Sequence, residues 1–384
     1  MKVLICPDSF KGTFSASEVS TLIAQGVTKT DPQIQTDVVP LADGGEGTLE
    51  ALSSLVTLHY AEVSGPLGRD KKVSARFGIM TNEPANALIE TSQVIGLNLI
   101  PEGKRNPLYT TTYGVGELIK AALEKKCRKI IIGIGGSSTN DAGIGMAQCL
   151  GVKFFNQHKQ AIQLSKEKGY SGKSLAELYS LDCSALDTRI QSCEFLVASD
   201  VLNPLYGKNG AAQVYAEQKG ASPSEVKLLD QGLRNFAKAV KRSLNKDIAA
   251  LTGGGAAGGL GAGLNVFLGA EVISGIDFIM KSVKLKKHII ENDVIITGEG
   301  RIDSQTVKGK TLSGVLTMAE HYNKPVIIIT GSLGRDFKKI KNKNISVIED
   351  ASRGAQKDLS YFKKHPELIR EAASKAFTKW RDQR

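Results

Sequence analysis

The chain is poor in the residues from which disulfide frameworks, zinc sites and histidine-based active sites are made. Its five cysteines, Cys6, Cys127, Cys149, Cys183 and Cys193, are odd in number, scattered and without a CxxC pair. Neither a disulfide framework nor a zinc site is supported, and reduced, mostly buried thiols are expected. His59, His158, His288, His321 and His365 stand apart from one another and from every glycine loop. A histidine triad or a zinc hydrolase therefore lacks its parts. Ser9 is not in a GxSxG elbow. No apolar run approaches a membrane span, and residues 1–7 are too short for a signal peptide. With a first strand expected almost at Met1, the expectation is a cytoplasmic protein with no membrane partner. Aromatics make up only 6% of the chain and nucleic-acid modules are absent by pattern, so the net charge of +11 does not point to nucleic acid. Much of the excess lies near the C-terminus in Lys338-Lys339-Ile340-Lys341-Asn342-Lys343, a solvated basic face. A basic balance also suits an enzyme with small anionic substrates.

What is present in quantity is glycine, 40 residues, grouped after apolar runs in the manner of ligand loops. At 384 residues the chain is too long for one ordinary domain, and two are expected. Residues 130–146 set the pattern: an apolar β-branched run, then glycines, hydroxyls, an amide and a carboxylate, then a helix. That is a buried parallel strand delivering polar groups to the carboxyl end of a sheet, where ligands of open α/β sheets bind. Residues 2–6 and 36–41 are two more strands, each followed by an acid-and-glycine loop and a helix, the first helix opened by Ser15 and Glu18 at capping-box spacing. From residue 62 a meander replaces this β-α alternation, and a domain crossing is expected near residues 64–68. Strands follow at 129–134, 194–199, 293–296, 325–329 and 345–348, with an amphipathic helix at 224–244. The predicted fold is α/β, with two α/β domains. One is Rossmann-like with a mostly parallel sheet and discontinuous, residues 1–65 and 290–384; the second, residues 66–289, is inserted into it.

Generic phosphate motifs fail or are weak. Gly309-Lys310-Thr311 resembles the end of a P-loop, but the earlier glycine is replaced by Ser304. Residues 253–258 satisfy GxGxxG without a firm strand before them, which leaves a dinucleotide reading weak. Seven glycines in residues 253–263 suggest a ligand-embracing loop more than packing alone. The carboxylates say more: Asp8, Asp43, Glu46, Asp141, Asp200, Glu299 and Asp303 all follow strand-like runs or sit in their loops. Each has a plain alternative, such as Asp141 as a helix cap or Asp43 as a turn residue. So many acids at one sheet edge need cations, and Mg²⁺ with Lys11, Arg301, Lys308 and Lys310 would compensate. Acids, Mg²⁺, lysines and glycine loops are the parts of phosphoryl transfer.

Six blocks carry a resemblance: Pro7-Asp8-Ser9-Phe10-Lys11-Gly12, residues 40–48, residues 133–141, residues 199–204, residues 253–261 and residues 297–306. Together and in this order they resemble the signature blocks of the bacterial glycerate kinase type I family. The resemblance implies an ATP- and Mg²⁺-dependent kinase for D-glycerate, with the site between two α/β domains and 2-phosphoglycerate as product. On this reading Asp43, and after it Asp200, orients or deprotonates the attacking hydroxyl. Lys11 and Arg301 neutralise the substrate carboxylate or the moving phosphoryl, and Asp8, Ser9 and Glu46 bind substrate. Asp200, Glu299 and Asp303 are the candidates for Mg²⁺. The nucleotide falls to Gly135, Gly136, Ser137, Ser138, Thr139, Asn140, Asp141, Asn203, Gly254, Gly255, Gly258 and Gly259. Alternatives are 3-phosphoglycerate as product, another hydroxy acid as substrate, or an NAD-dependent hydroxy-acid dehydrogenase using the Gly253 loop. A monomer and a homodimer are both compatible with the sequence.

Overall fold

Val3, Leu4 and Ile5 are all fully buried, which requires cover on both faces of the strand they form, the condition of a parallel sheet. The computed structural model describes residues 1–162, 169–302, 311–334, 337, 342–352 and 359–383. In chain order its strands are β1 (Lys2–Ile5), β2 (Gln35–Val38), β3 (Val56–Gly65), β4 (Gly68–Met80), β5 (Asn86–Glu90), β6 (Lys129–Gly133), β7 (Lys153–Phe155), β8 (Ser180–Asp182), β9 (Glu194–Ala198), β10 (Glu271–Ile273), β11 (Val294–Ile302), β12 (Val326–Leu333) and β13 (Ile345–Asp350). The chain divides into two compact units, Met1–Asp43 with Glu50–Ser54 and Gly275–Arg384, and Gly44–Leu49 with Leu55–Ser274.

The first unit holds a five-stranded sheet ordered β13-β12-β11-β1-β2, every pairing parallel. Strand order reverses at the β1–β11 junction: β2 lies to one side of β1, and β11, β12 and β13 lie to the other. A crevice at the carboxyl ends of the strands is expected at such a reversal. The helix Ala16–Thr30 starts at a complete Ser15–Glu18 capping box and buries Val19, Ile23 and Val27. It crosses the helix Glu367–Asp382, which buries Ile369, Ala373, Phe377 and Trp380 in the same core. The crossing is close enough that a Cβ at Gly26 would stand 2.3 Å from the Arg370 carbonyl oxygen.

The second unit holds a six-stranded sheet ordered β10-β9-β6-β5-β4-β3. The first four strands are parallel, and β4 and β3 join antiparallel. The helix Tyr113–Glu124 makes the crossover from β5 to β6. The helix Pro223–Leu244, started by a Ser222–Glu225 capping box, buries Val226, Leu229, Leu233, Phe236 and Val240. Strands β7 and β8 form a separate two-stranded sheet.

The α/β class and the mostly parallel sheets stand as expected. The chain first passes to the second unit at Gly44, returns for Glu50–Ser54 and enters it again at Leu55, before the expected residues 64–68, because Val56–Gly65 pairs with β4 along its length. The last passage comes at Ser274 and Gly275, so the helices Gly275–Ser282 and Leu285–Glu291 belong to the first unit. Among the described residues no helix is long and apolar enough to cross a membrane.

Candidate active site

In the first unit the chain leaving β1 stays beside β11 beyond the strand itself. The Cys6 and Asp8 amides donate to the carbonyls of Ile296 and Gly298 at 2.8 and 2.9 Å. The Thr297 hydroxyl donates to the Cys6 carbonyl at 2.9 Å. Buried Phe10 then anchors a tight turn: its amide donates to the Phe14 carbonyl at 2.9 Å, and its carbonyl accepts the Thr13 hydroxyl at 2.6 Å. Gly12, at φ 81°, supplies the left-handed residue this turn needs. Exposed Lys11 is carried at the tip. Gly300 of β11 lies beneath the turn, where a Cβ would come within 3.1 Å of Phe10 Cα.

The segment after β2 runs alongside, with the Val39 and Leu41 amides donating to the carbonyls of Ile5 and Pro7 at 2.9 and 3.0 Å. This brings Asp43 to Lys11, whose Nζ donates to Asp43 Oδ2 at 2.9 Å. Asp43 is the largest influence holding the Lys11 ammonium above its usual range, and Asp8 and Glu299 add to it. Asp8 is buried, with Oδ1 accepting from the Ser9 amide at 2.6 Å and Oδ2 from the Thr311 hydroxyl at 2.7 Å. Burial first, and then Asp43, raise its carboxyl pKa; Lys11 and these two hydrogen bonds act the other way. The unit thus presents an ammonium between carboxylates at the reversal of its sheet.

In the second unit the register aligns Glu90, Gly133, Ala198 and Ile273 in one row across four parallel strands. Residues 134–141 leave the end of β6 in the middle of that row. Glu90 is buried; its Oε1 accepts from the Gly47 amide at 3.0 Å and the Ser92 hydroxyl at 2.7 Å, and its Oε2 from the Leu49 amide at 3.0 Å. It fixes the loop of residues 44–49, which lies flat on the end of β6. A Cβ at Gly133 would stand 2.3 Å from the Gly44 carbonyl oxygen, and one at Gly135 would stand 2.6 Å from Gly45 Cα. Glu46 projects from this loop, exposed, with Oε1 accepting from Asn98 Nδ2 at 3.3 Å.

The rest of the 134–141 segment is held on every side. Both the amide and the hydroxyl of Ser138 donate to the Ile95 carbonyl, at 2.7 and 2.9 Å. Asp141 is fully buried and takes hydrogen bonds from the amide and hydroxyl of Thr112 and from the Gly143 and Gly145 amides. Burial raises its carboxyl pKa, and these donors oppose the rise. Its oxygens are spent on the protein itself, so Asp141 shapes the loop. Lys219, buried, reaches the loop from beneath: Nζ donates to Ser137 Oγ at 3.0 Å and to the Thr139 carbonyl at 2.8 Å.

The sequence-derived residues therefore fall into two groups. Asp8, Ser9, Lys11, Asp43, Glu299 and Arg301 belong to the first unit; Glu46, residues 135–141, Asp200, Asn203 and the 254–259 glycines belong to the second. Asp200 is half-buried just beyond β9. The Asn203 amide is engaged by the Asn209 carbonyl at 2.9 Å and the Tyr215 hydroxyl at 2.8 Å. The glycine run is pressed against protein backbone: a Cβ at Gly258 would stand 2.0 Å from the Thr139 carbonyl oxygen, and one at Gly255 would stand 2.3 Å from that of Pro204. Asp303, Lys308 and Lys310 lie outside the described residues. Glu90, Lys219 and Thr311 were absent from the sequence-derived set. A carboxylate closing the apolar run 87–90 just before Ser92, and the threonine of the failed P-loop match, were usable signals for two of them. Lys219 had none.

The sequence model of the glycerate kinase family matches residues 3–381. The chain is 45% identical over 350 residues to the glycerate 2-kinase of Escherichia coli (strain K12), spanning 91% of this chain and 90% of that one. It is 42% identical over 340 residues to the glycerate kinase of Halalkalibacterium halodurans, spanning 88% and 87%. A crystal structure from Salmonella typhimurium LT2, provisionally named glycerate kinase 2, superposes with a TM-score of 0.80 at 40% identity, covering 100% of this chain and 99% of that one.

Proposed function

The chain belongs to the glycerate kinase family, and from that premise we propose that it transfers the γ-phosphoryl group of ATP to the 2-hydroxyl of D-glycerate. The glycerate oxygen forms a bond to the γ-phosphorus as the bond to the β,γ-bridging oxygen breaks. ADP departs, and the hydroxyl proton passes to a carboxylate. A reaction with a loose transition state needs positioning and charge stabilisation more than covalent chemistry from the protein. The observation that carries this reading is the Lys11–Asp43 pair, 2.9 Å apart at the strand-order reversal of the first sheet. Asp43 orients the hydroxyl and accepts its proton. Lys11, kept charged by its carboxylate neighbours, is the counter-ion for the substrate carboxylate or the moving phosphoryl. Asp8, Ser9, Glu46 and Arg301 complete substrate binding in this assignment.

For the nucleotide we assign the 135–141 segment, whose backbone lies at the carboxyl end of a parallel strand, where phosphate is commonly held. Asn203 and Gly254, Gly255, Gly258 and Gly259 complete the nucleotide site in this assignment, Gly258 lying against the Thr139 carbonyl. For Mg²⁺ the candidates are the carboxylates Asp200 and Glu299, oxygen ligands of the kind this ion takes. Mg²⁺ ordinarily takes one or two carboxylates and completes its shell with water and phosphate oxygens. When bound, it supplies charge neutralisation at the β- and γ-phosphates. A cytoplasmic location goes with this reading. The test is ADP release by purified protein with ATP and Mg²⁺, expected only when D-glycerate is added. Release indifferent to glycerate, or none at all, would refute the assignment.

A further inference from the structure

Lys219 closes the short turn Glu217–Lys219, and the next residue fixes where its side chain goes. Gly220, at φ 95°, reverses the chain so tightly against residue 105 that a Cβ would stand 2.2 Å from the Arg105 carbonyl oxygen. The lysine is thereby turned inward, 4% exposed, with Nζ donating to Ser137 Oγ and to the Thr139 carbonyl, two hydrogen bonds that a neutral amine can also make. On the same loop, Thr139 Oγ1 and both polar atoms of the Asn140 side chain are buried with no hydrogen-bond partner among the described residues. Buried amides are seldom left so, because the lost hydrogen bonds are costly. Three orphaned polar atoms on the loop that Lys219 holds, one of them on the residue whose carbonyl it binds, mark a place prepared for a polar partner.

We propose that Lys219 is a positioning residue of the nucleotide site: it holds the 137–139 loop from beneath and takes up a proton as the nucleotide's phosphates dock there. The proposal rests on the reading that the 135–141 segment receives those phosphates. Burial brings the Lys219 amine down to about 7, with Asp141 acting in the opposite direction. Asp141 on the loop is the charged group that acts on it; Arg105, on the segment packed against Gly220, turns its Nε to the Ile100 carbonyl, and Glu217 on its own turn is exposed. Asp141 has its oxygens committed to Thr112, Gly143 and Gly145. An incoming anion favours the charged amine and raises its pKa. Binding and protonation are then reciprocally linked. A residue charged at all times would bear the full desolvation cost in the empty site; this lysine carries its charge when a phosphate is there to face it.

Calorimetric titration of ADP with Mg²⁺, in two buffers of different ionisation enthalpy, counts the protons exchanged. Wild type is expected to take up close to one proton more than Lys219→Met at about pH 8, the excess fading by about pH 6, where the amine is already charged. Lys219→Met should bind ADP roughly tenfold more weakly yet bind adenosine as wild type does. Equal proton counts in the two proteins, or equal weakening for ADP and adenosine, would overturn the proposal. If the variant does not fold, the wild-type counts at the two pH values decide: the same uptake at both overturns it. Amide exchange across residues 134–141 separates the two readings. No protection there with ADP bound removes the site assignment itself; protection without lysine-dependent uptake removes the role of Lys219 alone.

Discussion

The hydroxyl of Thr311 donates a 2.7 Å hydrogen bond to Oδ2 of Asp8, a residue 303 positions earlier in the chain. One joins the loop after β1, the other begins the helix Thr311–His321, and both are buried. The bond fixes the carboxylate at the start of the Pro7–Gly12 block, two residues before the turn that carries Lys11. The first sheet makes this contact available because β1 and β11 are neighbours, which brings the two ends of the sequence to one edge.

Thr311→Val keeps the shape and removes the donor. A hydrogen bond to a charged group contributes about 1.5–3 kcal/mol. The expected result is a fall in kcat/KM for D-glycerate of roughly ten- to a hundredfold with the fold intact. Kinetics within twofold of wild type would show that Asp8 does not depend on this contact.

Asp43→Asn retains the geometry but loses the proton acceptor and the charge facing Lys11. The expected loss is in kcat, on the order of a hundredfold or more, as for removal of a general base. The Lys11 amine should at the same time fall toward its ordinary range, since Asp43 is the largest influence raising it. Steady-state rates at saturating glycerate and ATP test the first claim, and near-normal kcat would refute it.

Glu90→Gln replaces an acceptor oxygen with an amide donor where the Gly47 amide, the Leu49 amide and the Ser92 hydroxyl all point. At least one buried donor is left unpaired, which costs about 1–3 kcal/mol. Urea denaturation should register that loss, and glycerate KM should rise as the loop bearing Glu46 loosens. Unchanged stability would mean that the loop is held by its glycine contacts alone.

Lys219 carries a stability signature in addition to its proposed part in nucleotide binding. An unfolded lysine titrates near 10.5 and the folded one at about 7, so between these values the unfolded chain holds a proton that the folded chain lacks. Folding stability from this group therefore rises as pH increases from about 7 to about 10.5, and the burial cost is full below that window. Relative to wild type, Lys219→Met should be at its most stable below about pH 7 and lose that advantage toward pH 10. Denaturation curves at several pH values test this; a difference that does not vary with pH would contradict it.

The runs Val3-Leu4-Ile5, Ile130-Ile131-Ile132 and Val326-Ile327-Ile328-Ile329 could be recognised as strands because a strand covered on both faces has no polar side to show. The helices beginning at Ala16 and Pro223 were equally legible, since Ser15 with Glu18 and Ser222 with Glu225 satisfy the first free amides locally. What the sequence concealed was partnership at a distance. Glu90 acts on Gly47, 43 residues away, and Lys219 acts on Ser137, 82 residues away; neither pairing leaves a local pattern. The acids looked alike as residues following strands, yet Asp141 is saturated by its own chain, whereas Asp43 faces Lys11 at a partly exposed edge. The glycines of residues 253–261 showed no such partner either, yet Gly255 lies against residues 203–204 and Gly258 and Gly259 against residues 139–142.

The most direct test of the central claim is where the phosphoryl group goes. Product made from ATP, Mg²⁺ and D-glycerate should be consumed by enolase at once, without added phosphoglycerate mutase, because enolase dehydrates 2-phosphoglycerate. Product that enolase leaves untouched until mutase is supplied would be 3-phosphoglycerate, and would contradict the assignment of the 2-hydroxyl.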